Sequence, residues 1–152
     1  MDDRESTTDK PKESMATITC SRKFSIDVGH RVVGHEGACK NHHGHTYRIT
    51  VTATCPQLDT VGRVIDFSVL KDKVGRWLLL HWDHGFVLWD KDGSSVADGL
   101  TKVFRLPTNP TAENLAAYLL MTVCPQVLEG TGIVITKVRV DETPNCYAEA
   151  EL

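Results

Sequence analysis

The run from Thr46 to Cys55 constrains the fold of this chain more than any other stretch. Tyr47, Ile49, Val51 and Ala53 alternate with Arg48, Thr50, Thr52 and Thr54, and Pro56 closes the run. A period of two sends successive side chains to opposite faces of a β-strand, and proline ends a strand ladder. One apolar face and one polar face predict a strand that packs on a core from one side only. Just ahead of it stands Cys39-Lys40-Asn41-His42-His43-Gly44-His45. His43 and His45 are two residues apart, so the same period puts both imidazoles on one face.

Two imidazoles on one face are half of a metal site. A third histidine, His30, ends the earlier run Phe24-Ser25-Ile26-Asp27-Val28-Gly29-His30, and Gly29 and Gly44 permit close backbone approach. Neutral imidazole suits Zn²⁺, and three histidines leave a fourth position for a substrate oxygen. His35 falls in a loop and His42 on the opposite strand face, so neither joins the set. Cys39 has three open readings. It is a fourth ligand that closes a structural site, a base or nucleophile whose thiolate the cation favours, or an ordinary thiol.

Composition narrows the class. The 152 residues suit one domain, with 41% hydrophobic content, a net charge of −3 and a pI near 6.1. That balance argues against nucleic-acid or acidic-membrane partners, which favour a basic face. No apolar run reaches the roughly 18–20 residues of a membrane span. Residues 1–16 are rich in Asp, Glu, Lys, Ser and Thr and predict a disordered tail without the apolar core of a secretion signal. Residues 17–152 form the predicted domain. Five cysteines with no CxxC pair suggest reduced thiols and a cytoplasmic setting.

Along the chain, Thr17–Val28 reads as a first strand, with a possible irregularity at Ser21–Lys23, and Thr46–Cys55 as a second. Asp66 or Ser68 caps a helix to about Leu80, and Thr111 caps another that stops before Pro125. Trp82–Leu106 reads as irregular, punctuated by Gly85, Gly93 and Gly99. Ile133–Glu142 and Cys146–Leu152 read as third and fourth strands. Strands flanking a helix pair predict an α+β fold, an antiparallel sheet with two helices on one face. Its open edges predict pairing with another subunit.

Two further groups carry weaker signals. Asp83-His84 is a hydrogen-bonded dyad if a turn folds it so, and a solvated loop otherwise. Glu142, in Asp141-Glu142-Thr143-Pro144, is either an ordinary strand-end acid or an anchor accepting two parallel N–H bonds from an amino-pyrimidine.

Taken in order, Phe24-x5-His30, Cys39-x3-His43-Gly44-His45-x-Tyr47, Ile65-Asp66-Phe67, Asp83-His84, Asn109-Pro110-Thr111-x-Glu113 and Glu142-Thr143 resemble the 6-pyruvoyltetrahydropterin and 6-carboxytetrahydropterin synthase superfamily. The resemblance covers Thr17 to Leu152. It implies the tunnelling (T-) fold with ββααββ topology, sheets joined into an oligomeric barrel, and active sites at subunit interfaces. The implied assembly is a homo-hexamer, with trimer or tetramer as alternatives. By resemblance, His30, His43 and His45 hold one zinc ion per subunit and Cys39 is the catalytic base. Asp83 and His84 are a dyad supplied by a neighbouring subunit, and Glu142 anchors the pterin.

Thr111 and Arg31 are further candidates for substrate binding, Arg31 and Lys40 for the triphosphate. The three-residue spacer between Cys39 and His43 resembles the 6-carboxy-forming branch of the 7-deazaguanine and queuosine route. That branch implies conversion of 7,8-dihydroneopterin triphosphate to 6-carboxytetrahydropterin, acetaldehyde and triphosphate. The alternatives are a 6-pyruvoyl product without carbon–carbon cleavage and a non-catalytic structural zinc module. Val28 and Gly29 before the first zinc histidine, and the Trp82–Leu106 segment, depart from the family pattern.

Overall fold

The computed structural model describes residues 16–95, 99–100 and 102–152. All but the last residue of the tail expected over 1–16 therefore lies outside the described residues. Strand β1 (Cys20–His30) pairs antiparallel with β2 (His43–Thr54), from Cys20 opposite Ala53 to His30 opposite His43. No irregularity interrupts Ser21–Lys23. The alternation begun at Tyr47 extends back through His43, so the His43–His45 pair opens the strand as its spacing predicts.

Between the helices, Trp82–Leu106 is more ordered than its glycines suggested. β3 (Gly85–Trp89) and β4 (Val103–Leu106) form there. Both add to the sheet in parallel, β3 beside Val28 and Gly29 of β1, and β4 beside β3. β5 (Val134–Thr143) and β6 (Cys146–Glu151) complete an antiparallel set beside β2. The order is β4-β3-β1-β2-β5-β6, so the ββααββ framework carries two short parallel strands on one flank. The signal was missed because Phe86, Val87 and Leu88 form a short apolar run, which periodicity cannot separate from a loop or helix fragment.

The first helix covers 67–81 and the second 112–127. Asp66 caps the first by accepting from Ser68 N at 2.8 Å, and Thr111 caps the second by accepting from Asn114 N at 3.3 Å. Each contains a π-helical turn, Lys71–Gly75 and Leu119–Val123. The second helix runs on through Pro125 to Val127, beyond the expected stop. Proline is disruptive within an α-helix, but here it follows a π turn and opens a new α-helical segment, where its missing N–H is tolerated. In the first helix a Cβ on Gly75 would lie 2.8 Å from the Phe24 ring, so glycine lets that ring seat against the helix.

Both helices cover one face of the sheet. Ile26, Val28, Tyr47, Ile49, Val51, Val138 and Val140 pack there with Leu70, Val74, Leu78, Leu115 and Leu119. Each fully buried aliphatic side chain contributes about 1.5–3 kcal/mol. The other face carries Asp27, Thr46 and Arg48, all exposed.

Candidate metal centre and active site

His30, His43 and His45 all belong to the helix-covered face of β1 and β2. Their ligating nitrogens lie within 4.8 Å of one another. His30 is buried and donates from Nδ1 to the Pro110 carbonyl at 2.8 Å, while His43 donates from Nδ1 to the Asn41 carbonyl at 2.7 Å. A carbonyl accepts only, so both rings carry their proton on Nδ1 and present a bare Nε2. Those two Nε2 atoms are 3.1 Å apart, and His45 Nε2 is buried without a partner.

Lone pairs so placed repel unless a cation lies among them. Nitrogens bound to one tetrahedral Zn²⁺ at about 2.0–2.1 Å stand roughly 3.3 Å apart. The donor set therefore fits a metal ion. Burial pushes His30 and His45 below their ordinary titration range, which keeps them neutral and ready to ligate.

The carbonyl that orients His30 is itself held in place. Asn109 Oδ1 accepts from Val33 N at 2.9 Å, and its Nδ2 donates to Val33 O at 2.7 Å. This two-bond clamp joins the chain just after His30 to the segment bearing Pro110. Asn109 belongs to the Asn109-Pro110-Thr111 motif, but its clamping role has no signal in the sequence.

Glu142 reaches the same cluster. Its Oε1 is 3.7 Å from His45 Nε2 and its Oε2 is 4.0 Å from His30 Nε2. Tyr47 donates to Oε2 at 3.4 Å. The β5–β6 register slips between Asp141 and Thr143, leaving Glu142 as the extra residue of a β-bulge. Such bulges re-aim side chains. Burial first, then the Glu142 charge and the nearby Cys39, push the Tyr47 phenol far up, so it stays protonated. Cys39 lies in a short 3-10 turn, Ala38–Lys40, half-buried. Its sulfur is not among the atoms that converge on the histidines, so a closed four-ligand site has no geometric support.

Asp83 and His84 do form a dyad, Oδ2 to Nδ1, 2.9 Å apart. His84 takes a left-handed conformation, φ 54°, which turns its ring outward, 77% exposed. Asp83 Oδ1 also accepts from Asp27 N at 2.9 Å. Partial burial pushes the Asp83 carboxyl up, but Asp27 N–H, His84 and the Lys102 charge outweigh it and hold it below its ordinary range. This group clusters with the Asp27 carboxylate, which accepts from Thr46 on the open face of the sheet. One chain thus places its histidine cluster and its dyad on opposite faces.

Two other expected contacts have structural partners. Arg31 pairs bidentately with Asp92 at 2.5 and 2.7 Å, and Thr111 Oγ1 is the cap of the second helix.

A mixed sheet backed by two helices, with three convergent histidines at one end, defines a T-fold protein with a candidate metal centre. The profile described as 6-pyruvoyl tetrahydropterin synthase matches residues 19–152, and this chain belongs to that family. A 6-carboxy-5,6,7,8-tetrahydropterin synthase of Rickettsia bellii is 36% identical over 136 residues, covering 87% of this chain and 99% of that protein. One of the same name from Haemophilus influenzae is 32% identical over 139 residues, covering 85% and 95%. The solved 6-pyruvoyl tetrahydropterin synthase of Caenorhabditis elegans superposes with TM-score 0.69 at 25% identity, covering 91% and 97%. An uncharacterized protein from Wolinella succinogenes shares the fold at TM-score 0.76 and 19% identity, covering 90% and 99%. Among the described residues, no helix is long and apolar enough to cross a membrane.

Proposed function

We propose that this chain is a zinc-dependent 6-carboxy-5,6,7,8-tetrahydropterin synthase acting on 7,8-dihydroneopterin triphosphate in 7-deazaguanine and queuosine biosynthesis. The observation that carries the reading is the convergence of three buried or half-buried imidazoles, two of them with carbonyl-fixed tautomers, beside Glu142. The 6-carboxy relatives, at 32–36% identity, favour this product over 6-pyruvoyltetrahydropterin.

His30, His43 and His45 would hold one zinc ion, which when bound supplies Lewis-acid polarisation of the substrate's side-chain oxygens. Glu142 accepts two parallel N–H bonds from the amino-pyrimidine edge and sets the ring's orientation. Cys39 thiolate removes the side-chain carbon proton. The second proton is moved by the partner subunit's His84, oriented by the partner subunit's Asp83. The dyad clusters with Asp27 on the open face of the sheet, apart from the imidazoles on the helix-covered face, which supports a site shared between copies in a homo-oligomer, a hexamer in this reading. Loss of triphosphate, addition of one water and cleavage of the side-chain carbon–carbon bond with release of acetaldehyde leave the 6-carboxy product. Arg31 and Thr111 keep subsidiary roles near the substrate, Arg31 through whatever edge of its guanidinium Asp92 leaves open. Free thiols fit a cytoplasmic setting.

The decisive experiment incubates the zinc-loaded protein with 7,8-dihydroneopterin triphosphate and analyses the product by mass spectrometry. A 6-carboxy product with acetaldehyde supports the proposal. A 6-pyruvoyl product replaces it with the triphosphate-eliminating reaction, and no turnover by a fully zinc-loaded oligomer overturns it.

A further inference from the structure

The Asp83–His84 dyad sits on an unusual turn, and one side chain outside it grips that turn. Lys102 lies just ahead of β4. Its aliphatic stem crosses Gly85, where a Cβ would fall 2.9 Å from Lys102 Cγ. Glycine at 85 therefore opens the path for the ammonium. Lys102 Nζ donates to the Leu79 carbonyl at 2.8 Å and to the Asp83 carbonyl in a short contact.

The two carbonyls differ in kind. Leu79 O belongs to the last turn of the first helix, where carbonyls lack helical partners and a cation is favoured. Asp83 O belongs to the peptide plane joining the two members of the dyad. Fixing that plane fixes the His84 amide, which donates to Asp27 O at 2.7 Å. It also sustains the left-handed φ of His84, a conformation that L-residues hold only when their surroundings impose it. The backbone of Lys102 adds a further tie, accepting from Phe86 N at 3.0 Å. A lysine serving only to cap the helix would need Leu79 O alone.

We propose that Lys102 is the positioning residue of the Asp83–His84 pair, holding the 83–84 peptide plane so that His84 Nδ1 faces Asp83 and its Nε2 points away from the chain. This rests on the reading of His84 as a proton carrier.

The test uses the full-length, zinc-loaded protein with Lys102→Met and Lys102→Arg. Ring nitrogen–proton correlation spectra, with His84 assigned by its absence in His84→Ala, report which nitrogen carries the proton. Lys102→Met is expected to move His84 from a single Nδ1–H form to a mixture of forms. It should also lower kcat by about ten- to a hundredfold at unchanged KM, the scale of a small misplacement of a catalytic group. Lys102→Arg, which keeps the charge and the donors, should restore most of both.

A Lys102→Met protein with the wild-type His84 spectrum overturns the proposal. A changed spectrum with undiminished kcat supports the positioning role and instead removes His84 from the reaction. If Lys102→Met does not fold, Gly85→Ala displaces the stem while leaving the charge, and an unchanged His84 spectrum there is equally fatal.

Discussion

His30 and His43 face each other across the β1–β2 ladder with their Nε2 atoms 3.1 Å apart, each ring committing its Nδ1 proton to a backbone carbonyl. A shared proton or a metal ion relieves the repulsion between those lone pairs. Removing one ring leaves too few ligands for a stable site. His43→Ala should therefore lose stoichiometric zinc, read by elemental analysis after dialysis. Its melting temperature should also cease to depend on added zinc. Zinc retained at one per chain would contradict the ligand set.

The metal-free protein should be less stable in acid. His30 and His45 take up a proton near pH 6.5 when unfolded, and only at lower pH in the fold, because burial disfavours the charged ring. Between those values the unfolded chain binds more protons, so acid favours it. The contribution is whole above pH 6.5 and disappears as pH falls through the folded values. Thermal melts of chelator-treated protein at pH 7.5 and 5.5 should show the lower midpoint at 5.5. The reverse order would mean that the rings are charged in the fold.

Cys39→Ala should keep its zinc, since the thiol stands apart from the converging nitrogens. Turnover should fall by at least about a hundredfold, the usual effect of losing a general base. Glu142→Gln, by contrast, keeps the shape but loses one strong acceptor, and its effect should fall mainly on KM. Steady-state kinetics with 7,8-dihydroneopterin triphosphate separates the two, and full activity in Cys39→Ala would remove the thiol from the mechanism.

Asp92 is fully buried beneath Arg31, whose guanidinium holds its carboxyl far below the ordinary range. Asp92→Asn leaves that guanidinium without its anion and should cost about 3 kcal/mol, measured by denaturant unfolding. The stabilisation is complete above about pH 3.8, the ordinary carboxyl value, and is lost as pH falls below it. A cost under about 0.5 kcal/mol would mark the pair as energetically idle.

Periodicity made the central strands and the placement of His43 and His45 legible, because a half-buried strand writes its two faces directly into sequence. The caps at Asp66 and Thr111 were legible for a similar local reason. β3 and β4 were not, since parallel strands of five and four residues owe their form to their sheet neighbours, β3 to β1 and β4 to β3. The passage of the second helix through Pro125 depends on a π turn that no residue announces. The clamp of Asn109 on Val33 is a non-local bond between segments far apart along the chain, and the bulge that aims Glu142 is a one-residue slip in hairpin register that the residue types do not encode. The cysteine's standing apart from the three converging imidazoles likewise needed coordinates, because four residues of separation allow either arrangement.

A sheet has two sides, and here the imidazole cluster lies on one while His84 lies on the other. In the proposed mechanism the imidazoles and the dyad that act together come from different copies of the chain. Activity would then depend on how often copies meet as well as on how many exist. Diluting the protein below the dissociation constant of its assembly would silence it without unfolding it, and halving its abundance near that point would cost more than half the flux.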